Sequence, residues 1–121
     1  MGVVGPNKNP EVLPIMQIVN IKAELFDWQE KYESDGSNEI FPENMNPALA
    51  ERLQQASRKI YTQLGCSGVA RVDYRVRGDE IFFLEVNTFP GATKASFIPK
   101  MWRKSGKTMG NFIEMLINTS L

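Results

Sequence analysis

A chain of 121 residues, 42% hydrophobic and 23% charged, has the make-up of one modest globular domain, which excludes disorder and collagen-like repeats. Basic and acidic residues number 14 each, so no net field favours nucleic acid or an anionic membrane, and no apolar run approaches the length of a membrane span. Histidine is absent and Cys66 is the single cysteine, which removes His triads, His-rich zinc sites and internal disulfides; without a signal peptide, a reducing cytoplasm is the expected compartment.

In chain order, the apolar start Gly2-Val3-Val4-Gly5 and the run at 11–19 read as two strands about a turn rich in Pro, Asn and Lys. Residues 27–42 are polar and read as a long loop, expected to be poorly ordered. Asn46 as N-cap and Pro47 at the first position open a helix whose stripe is Leu49, Leu53, Ala56, Ile60 and Leu64, closed by Gly65. Cys66 reads as a buried small apolar residue. A hairpin follows, 69–76 and 81–87, turning through Arg77-Gly78-Asp79-Glu80. Phe89-Pro90-Gly91 breaks the sheet, a short helix runs near 96–104, and a last amphipathic helix spans 108–118 with Met109, Phe112, Ile113, Leu116 and Ile117 on one face. The expected fold is α+β, an antiparallel sheet with the helices packed on one face.

Chemistry concentrates in the hairpin. Alternation puts Arg71, Asp73 and Arg75 on one side of its first strand, and Phe83, Glu85 and Asn87 on one side of its second. A three-residue turn sets Asp73 opposite Glu85 and Arg71 opposite Asn87, whereas a two-residue turn sets Asp73 opposite Leu84 and scatters the polar set. In the first register two carboxylates and an amide oxygen converge, a donor set suited to Mg²⁺. The competing interpretation is a solvated face on which the carboxylates pair with Arg71 and Arg75. The apolar run around Glu85 weighs against it, since a carboxylate amid such neighbours is costly to bury without a purpose.

The blocks Gly65-Cys66-Ser67-Gly68-Val69-Ala70-Arg71-Val72-Asp73 and Phe83-Leu84-Glu85-Val86-Asn87-Thr88-Phe89-Pro90-Gly91-Ala92-Thr93, with Ser96 beyond, resemble the C-terminal signature of the D-alanine-D-alanine ligases, within the ATP-grasp superfamily. Phe26-Asp27-Trp28-Gln29-Glu30-Lys31-Tyr32 resembles that family's mobile loop. The resemblance implies a C-terminal part of an ATP-grasp domain, with the N-terminal substrate domain and the first half of the ATP-grasp domain absent. It implies ATP-dependent joining of two D-alanine molecules through a D-alanyl phosphate, for peptidoglycan precursors. By the same resemblance Asp73, Glu85 and Asn87 hold two Mg²⁺ or Mn²⁺ ions, Glu85 shared between them. Lys31, Leu84, Glu85 and Asn87 contact ATP. Arg71, Gly91 and Ser96 act at the developing oxyanion, and Tyr32 and Phe97 join these three on the second substrate. Ser96 is expected to cap its helix. The implied partners are ATP and D-alanine, with a homodimer for the complete protein. The alternatives are a ligase using D-lactate or D-serine, of which Tyr32 favours an amino acid, and a metal-binding module without catalysis.

Overall fold

A computed structural model of the chain describes residues 1–20 and 37–121. The elements are β1 (Gly2–Gly5), β2 (Glu11–Val12), β3 (Gln17–Asn20), β4 (Ser37–Ile40), α1 (Pro47–Gln63), β5 (Gly68–Arg77), β6 (Glu80–Asn87), α2 (Phe97–Lys104) and α3 (Met109–Ser120). A four-stranded antiparallel sheet has the order β2-β1-β5-β6, and β3 and β4 form a separate two-stranded ribbon. Among the described residues, no helix is long and apolar enough to cross a membrane.

The α+β architecture and the antiparallel sheet are as expected, but the helices lie on both faces of the sheet. Val3 and Val4 are adjacent on β1 and so point to opposite sides. Val3 packs with Ala70, Val72 and the α1 residues Leu53 and Tyr61. Val4 packs instead with Leu13, with Ile98, Met101 and Trp102 of α2, and with Phe112 of α3. Both central strands carry apolar residues in consecutive pairs, a pattern that requires cover on each side.

Helix α1 begins as its sequence predicts, with the Asn46 side chain accepting from the Ala48 amide at 2.9 Å and Pro47 at the first position. Gly65 adopts the left-handed conformation that ends it, at φ 70°. The buried stripe differs from the apolar one: Leu53, Ser57 and Tyr61 are buried, while Leu64 is 63% exposed. Ser57 tolerates burial because its hydroxyl donates to Leu53 O at 2.7 Å and lies 3.1 Å from the Tyr74 hydroxyl. Tyr61 donates to Gly5 O at 2.7 Å, tying the helix to β1.

Three other expectations are revised. The strand proposed for 11–19 divides, because Leu13 turns fully into the core and Pro14, lacking an amide hydrogen, cannot extend the ladder. The loop proposed for 27–42 includes a strand at its far end, β4, paired with β3 from Gln17↔Ile40 to Asn20↔Ser37; residues 27–36 lie outside the described residues. On α3, Phe112 is buried but Ile113 and Ile117 are exposed, since the helix touches the sheet along a narrower stripe than its composition offers. Cys66 is half-buried against the α1 core.

Burial pushes the Tyr61 phenol from 10 up to about 12. An acid whose folded pKa is raised contributes stability that is full below its unfolded value and is lost as pH rises through the folded one. Denaturant midpoints should therefore fall between pH 10 and 12 in the parent chain, and fall less in Tyr61→Phe, which lacks the ionisable group.

Candidate metal and anion site

The hairpin brings the carboxylates together by a route that turn counting does not anticipate. Its turn has two residues, Gly78 and Asp79, with Arg77 paired to Glu80. That register runs through Tyr74↔Phe83 and would set Asp73 opposite Leu84. A β-bulge intervenes between Asp73 and Tyr74: Leu84 is passed over, and Asp73 pairs with Glu85, Val72 with Val86 and Arg71 with Asn87. The expected juxtaposition exists, and the bulge supplies the extra residue that the turn does not. It also reverses the faces of β6. Phe83 faces Tyr74 on the α1 side, ring centroids 6.2 Å apart, and does not share a side with Glu85 and Asn87. Arg75, beyond the irregularity, is exposed and takes no part in the pairing around Asp73.

On the face towards α2, Arg71 donates from Nε to Asp73 Oδ1 at 2.9 Å and from Nη2 to Oδ2 at 2.9 Å. Its Nη2 also lies 3.7 Å from Glu85 Oε1. The guanidinium sits 5.4 Å from the Phe97 ring centroid, at the first residue of α2. Asn87 Oδ1 accepts from the Phe89 amide at 2.9 Å, which leaves the oxygen one further lone pair. Side-chain exposure rises from Arg71 at 18% through Asp73 at 30% to Glu85 at 57%. Glu85 is thus on open surface with Phe82, Phe83 and Leu84 also exposed, and desolvation does not argue for its function. The contacts of Arg71 with both acids are those expected of carboxylates paired with arginine on a solvated face, though Arg75 takes no part. The Met1 amine donates to Val72 O at 2.9 Å nearby, and burial, partly opposed by Asp73, pulls it down to about 6.

The donor chemistry fits magnesium. Among the described residues no three His, Cys, Asp or Glu side chains converge, so the protein oxygens here are two carboxylates and one amide. Mg²⁺ is held by one or two carboxylates with phosphate and water completing its octahedron.

Gly91 and Ser96 are in contact. A Cβ on Gly91 would lie 2.8 Å from Ser96 Oγ, so a side chain there would displace the Ser96 hydroxyl from its present position. Ser96 occupies the N-cap position of α2 but does not cap it. Its hydroxyl instead accepts from the Thr93 amide at 3.2 Å and lies 2.8 Å from Thr93 Oγ1. The tight 91–96 turn holds the hydroxyl away from the helix, leaving the amides at its N-terminus without a side-chain acceptor. Thr93 stands in the signature block without a role of its own in the sequence, and its pairing with Ser96 emerges only in the fold. Lys31 and Tyr32 lie outside the described residues. A pair that sequence did not suggest, Lys100 of α2 with Glu39 of β4, joins the ribbon to the helix, and Lys104 lies 5.4 Å from the Phe41 ring beside it.

Replacing Gly91 by Ala should cost about 1 kcal/mol or less, measured by denaturant unfolding, because the added methyl displaces the Ser96 hydroxyl on an exposed turn rather than overfilling a core. The loss should shrink in a Ser96→Gly background, where the clashing atoms are gone; an undiminished loss would show the strain lies elsewhere.

Residues 1–118 match the family described as D-ala D-ala ligase C-terminus. The chain is 38% identical over 117 residues to D-alanine--D-alanine ligase B of Clostridium tetani, covering 95% of this chain and 32% of that protein. It is 38% identical over 117 residues to the D-alanine--D-alanine ligase of Carboxydothermus hydrogenoformans, covering 95% and 37%. Among solved structures, the D-alanine--D-alanine ligase of Bacillus anthracis superposes with TM-score 0.77 at 36% identity, covering 98% of this chain and 38% of that one. The VanG D-Ala:D-Ser ligase of Enterococcus faecalis gives 0.79 at 33% identity, covering 99% and 35%. The chain spans about a third of the length of the curated relatives it matches.

Proposed function

Because the chain belongs to the D-ala D-ala ligase C-terminus family, we propose that it supplies the metal-binding and oxyanion-binding part of an ATP-dependent ligase that joins two D-alanine molecules. The observation that carries this reading is the bulged hairpin, which pairs Asp73 with Glu85 and Arg71 with Asn87 on the face towards α2.

In this reading Asp73, Glu85 and Asn87 hold divalent magnesium or manganese, two ions in all. Bound there, the metal would neutralise ATP phosphates while a phosphoryl group passes to the first substrate's carboxylate. The chain's own residues do the rest. Arg71, permanently charged and forked, binds the acyl phosphate and the oxyanion formed when the second amine attacks. The uncapped N-terminus of α2 adds partial positive charge on the same side. Gly91 lets the backbone approach the second substrate, and Ser96, steadied by Thr93, presents its hydroxyl there. Phe97 packs beneath Arg71 and orients it. Leu84, exposed and left out of the ladder by the bulge, would contact nucleotide, and Lys31 and Tyr32 would contact phosphate and second substrate. The active protein would be a cytoplasmic homodimer.

The test is a chimera in which residues 1–118 replace the matching third of the Carboxydothermus hydrogenoformans ligase, assayed for phosphate release dependent on D-alanine. The expected result is activity that Glu85→Gln lowers by about a hundredfold or more, the cost typical of losing transition-state charge stabilisation, with partial recovery at raised Mg²⁺. D-serine is run in parallel because the VanG enzyme is similar to a comparable degree. The 121-residue chain alone should release no phosphate, since it spans about a third of its relatives. A folded chimera inactive with both amino acids would refute the proposal.

A further inference from the structure

The carboxylates assigned above to metal already have a cation. Arg71 engages both oxygens of Asp73, Nε on Oδ1 and Nη2 on Oδ2, each at 2.9 Å, and leans towards Glu85 at 3.7 Å. Exposure is graded so that Glu85 is open while Asp73 is the more enclosed of the two acids. A magnesium ion bound through Asp73 must come to about 2.1 Å from one of its oxygens. With the guanidinium fork still in place, two positive centres would face each other across a single half-buried carboxylate, where repulsion is poorly screened.

We propose that Arg71 is the resident counter-ion of these carboxylates and that divalent metal and the Arg71 fork compete for Asp73. The inference rests on the reading of Asp73 and Glu85 as metal ligands and adds an order of events to it. Without metal, the fork offsets two like charges held opposite each other on the hairpin. Metal first meets Glu85 and the spare lone pair of Asn87, then takes Asp73 and releases the guanidinium. Stacking over Phe97 keeps the released Arg71 at the start of α2, beside the uncapped amides. Arg71 thereby becomes available to an anionic substrate oxygen only when the metal is in position.

The competition is read without any turnover, on the 121-residue chain. Mg²⁺ is titrated while the Arg71 Nε–H resonance is followed by ¹H–¹⁵N NMR, and Mn²⁺ affinity is measured by electron paramagnetic resonance for the parent, Arg71→Gln and Asp73→Asn. The resonance should shift as Asp73 is surrendered, and Arg71→Gln should bind Mn²⁺ about tenfold tighter, as removal of a competing nearby charge predicts. Asp73→Asn should weaken Mn²⁺ binding. If Asp73→Asn weakens binding but saturating Mg²⁺ leaves the Arg71 resonance unmoved and Arg71→Gln binds no tighter, the metal reading stands and the competition is overturned. If Asp73→Asn leaves binding unchanged, or none of the chains binds Mn²⁺, the metal reading itself fails and takes the competition with it. The resonance in the parent chain decides the question even if Arg71→Gln fails to fold.

Discussion

Strand β5 is covered on both sides along its first half, and every residue there must be committed to one of two packed layers. Ala70 and Val72 face α1, and Val69 faces α2 and α3. Arg71 and Asp73 alternate with them and so are carried onto the second face as the layer of helices thins out. The polar residues stand where the core ends because strand parity allows them nowhere else. A one-residue slip of β5 against β1 would bury two charges under α1 and expose two core residues, an exchange the fold cannot tolerate.

Position along β5 is only half the requirement, since the partner strand must present its acids on the same face. β6 is an edge strand, held by its pairing to β5 with little packed beyond it. An edge can absorb an extra residue without disturbing another neighbour, which is where bulges concentrate. Leu84 is that residue. Its omission from the ladder changes the parity of everything after it, so that Ile81 and Phe83 serve the α1 side before the bulge and Val86 serves it after.

Helix α2 is the second organiser. Its apolar side, Ile98, Met101 and Trp102, is fixed in the core beneath β1, which makes its N-terminus a rigid feature next to the hairpin. Phe97 lies against Arg71, Ser96 is locked to Thr93, and Lys100 reaches the ribbon through Glu39. One short helix thus joins the Arg71 side of the hairpin to the ribbon formed by β3 and β4.

The sequence by itself determined the elements whose signals are local. The Asn46-Pro47 start, the Gly65 stop and the existence of the hairpin follow from residues a few positions apart, as does the choice of Arg71, Asp73, Glu85 and Asn87 as candidates. Only the tertiary structure decided which face each helix covers, because adjacent valines in a strand call for cover on both sides without naming the helix. It decided too that Ser57 and Tyr61 of α1 would be buried while Leu64 stayed exposed, since burial follows what lies opposite and hydrogen bonds to Leu53, Tyr74 and Gly5 satisfy the polar atoms. Turn counting left Asp73 opposite either Glu85 or Leu84. The short turn favours Leu84, and the bulge overrides it, because packing Phe83 against Tyr74 and Val86 beside Val72 on one face requires an odd residue between them to be put aside.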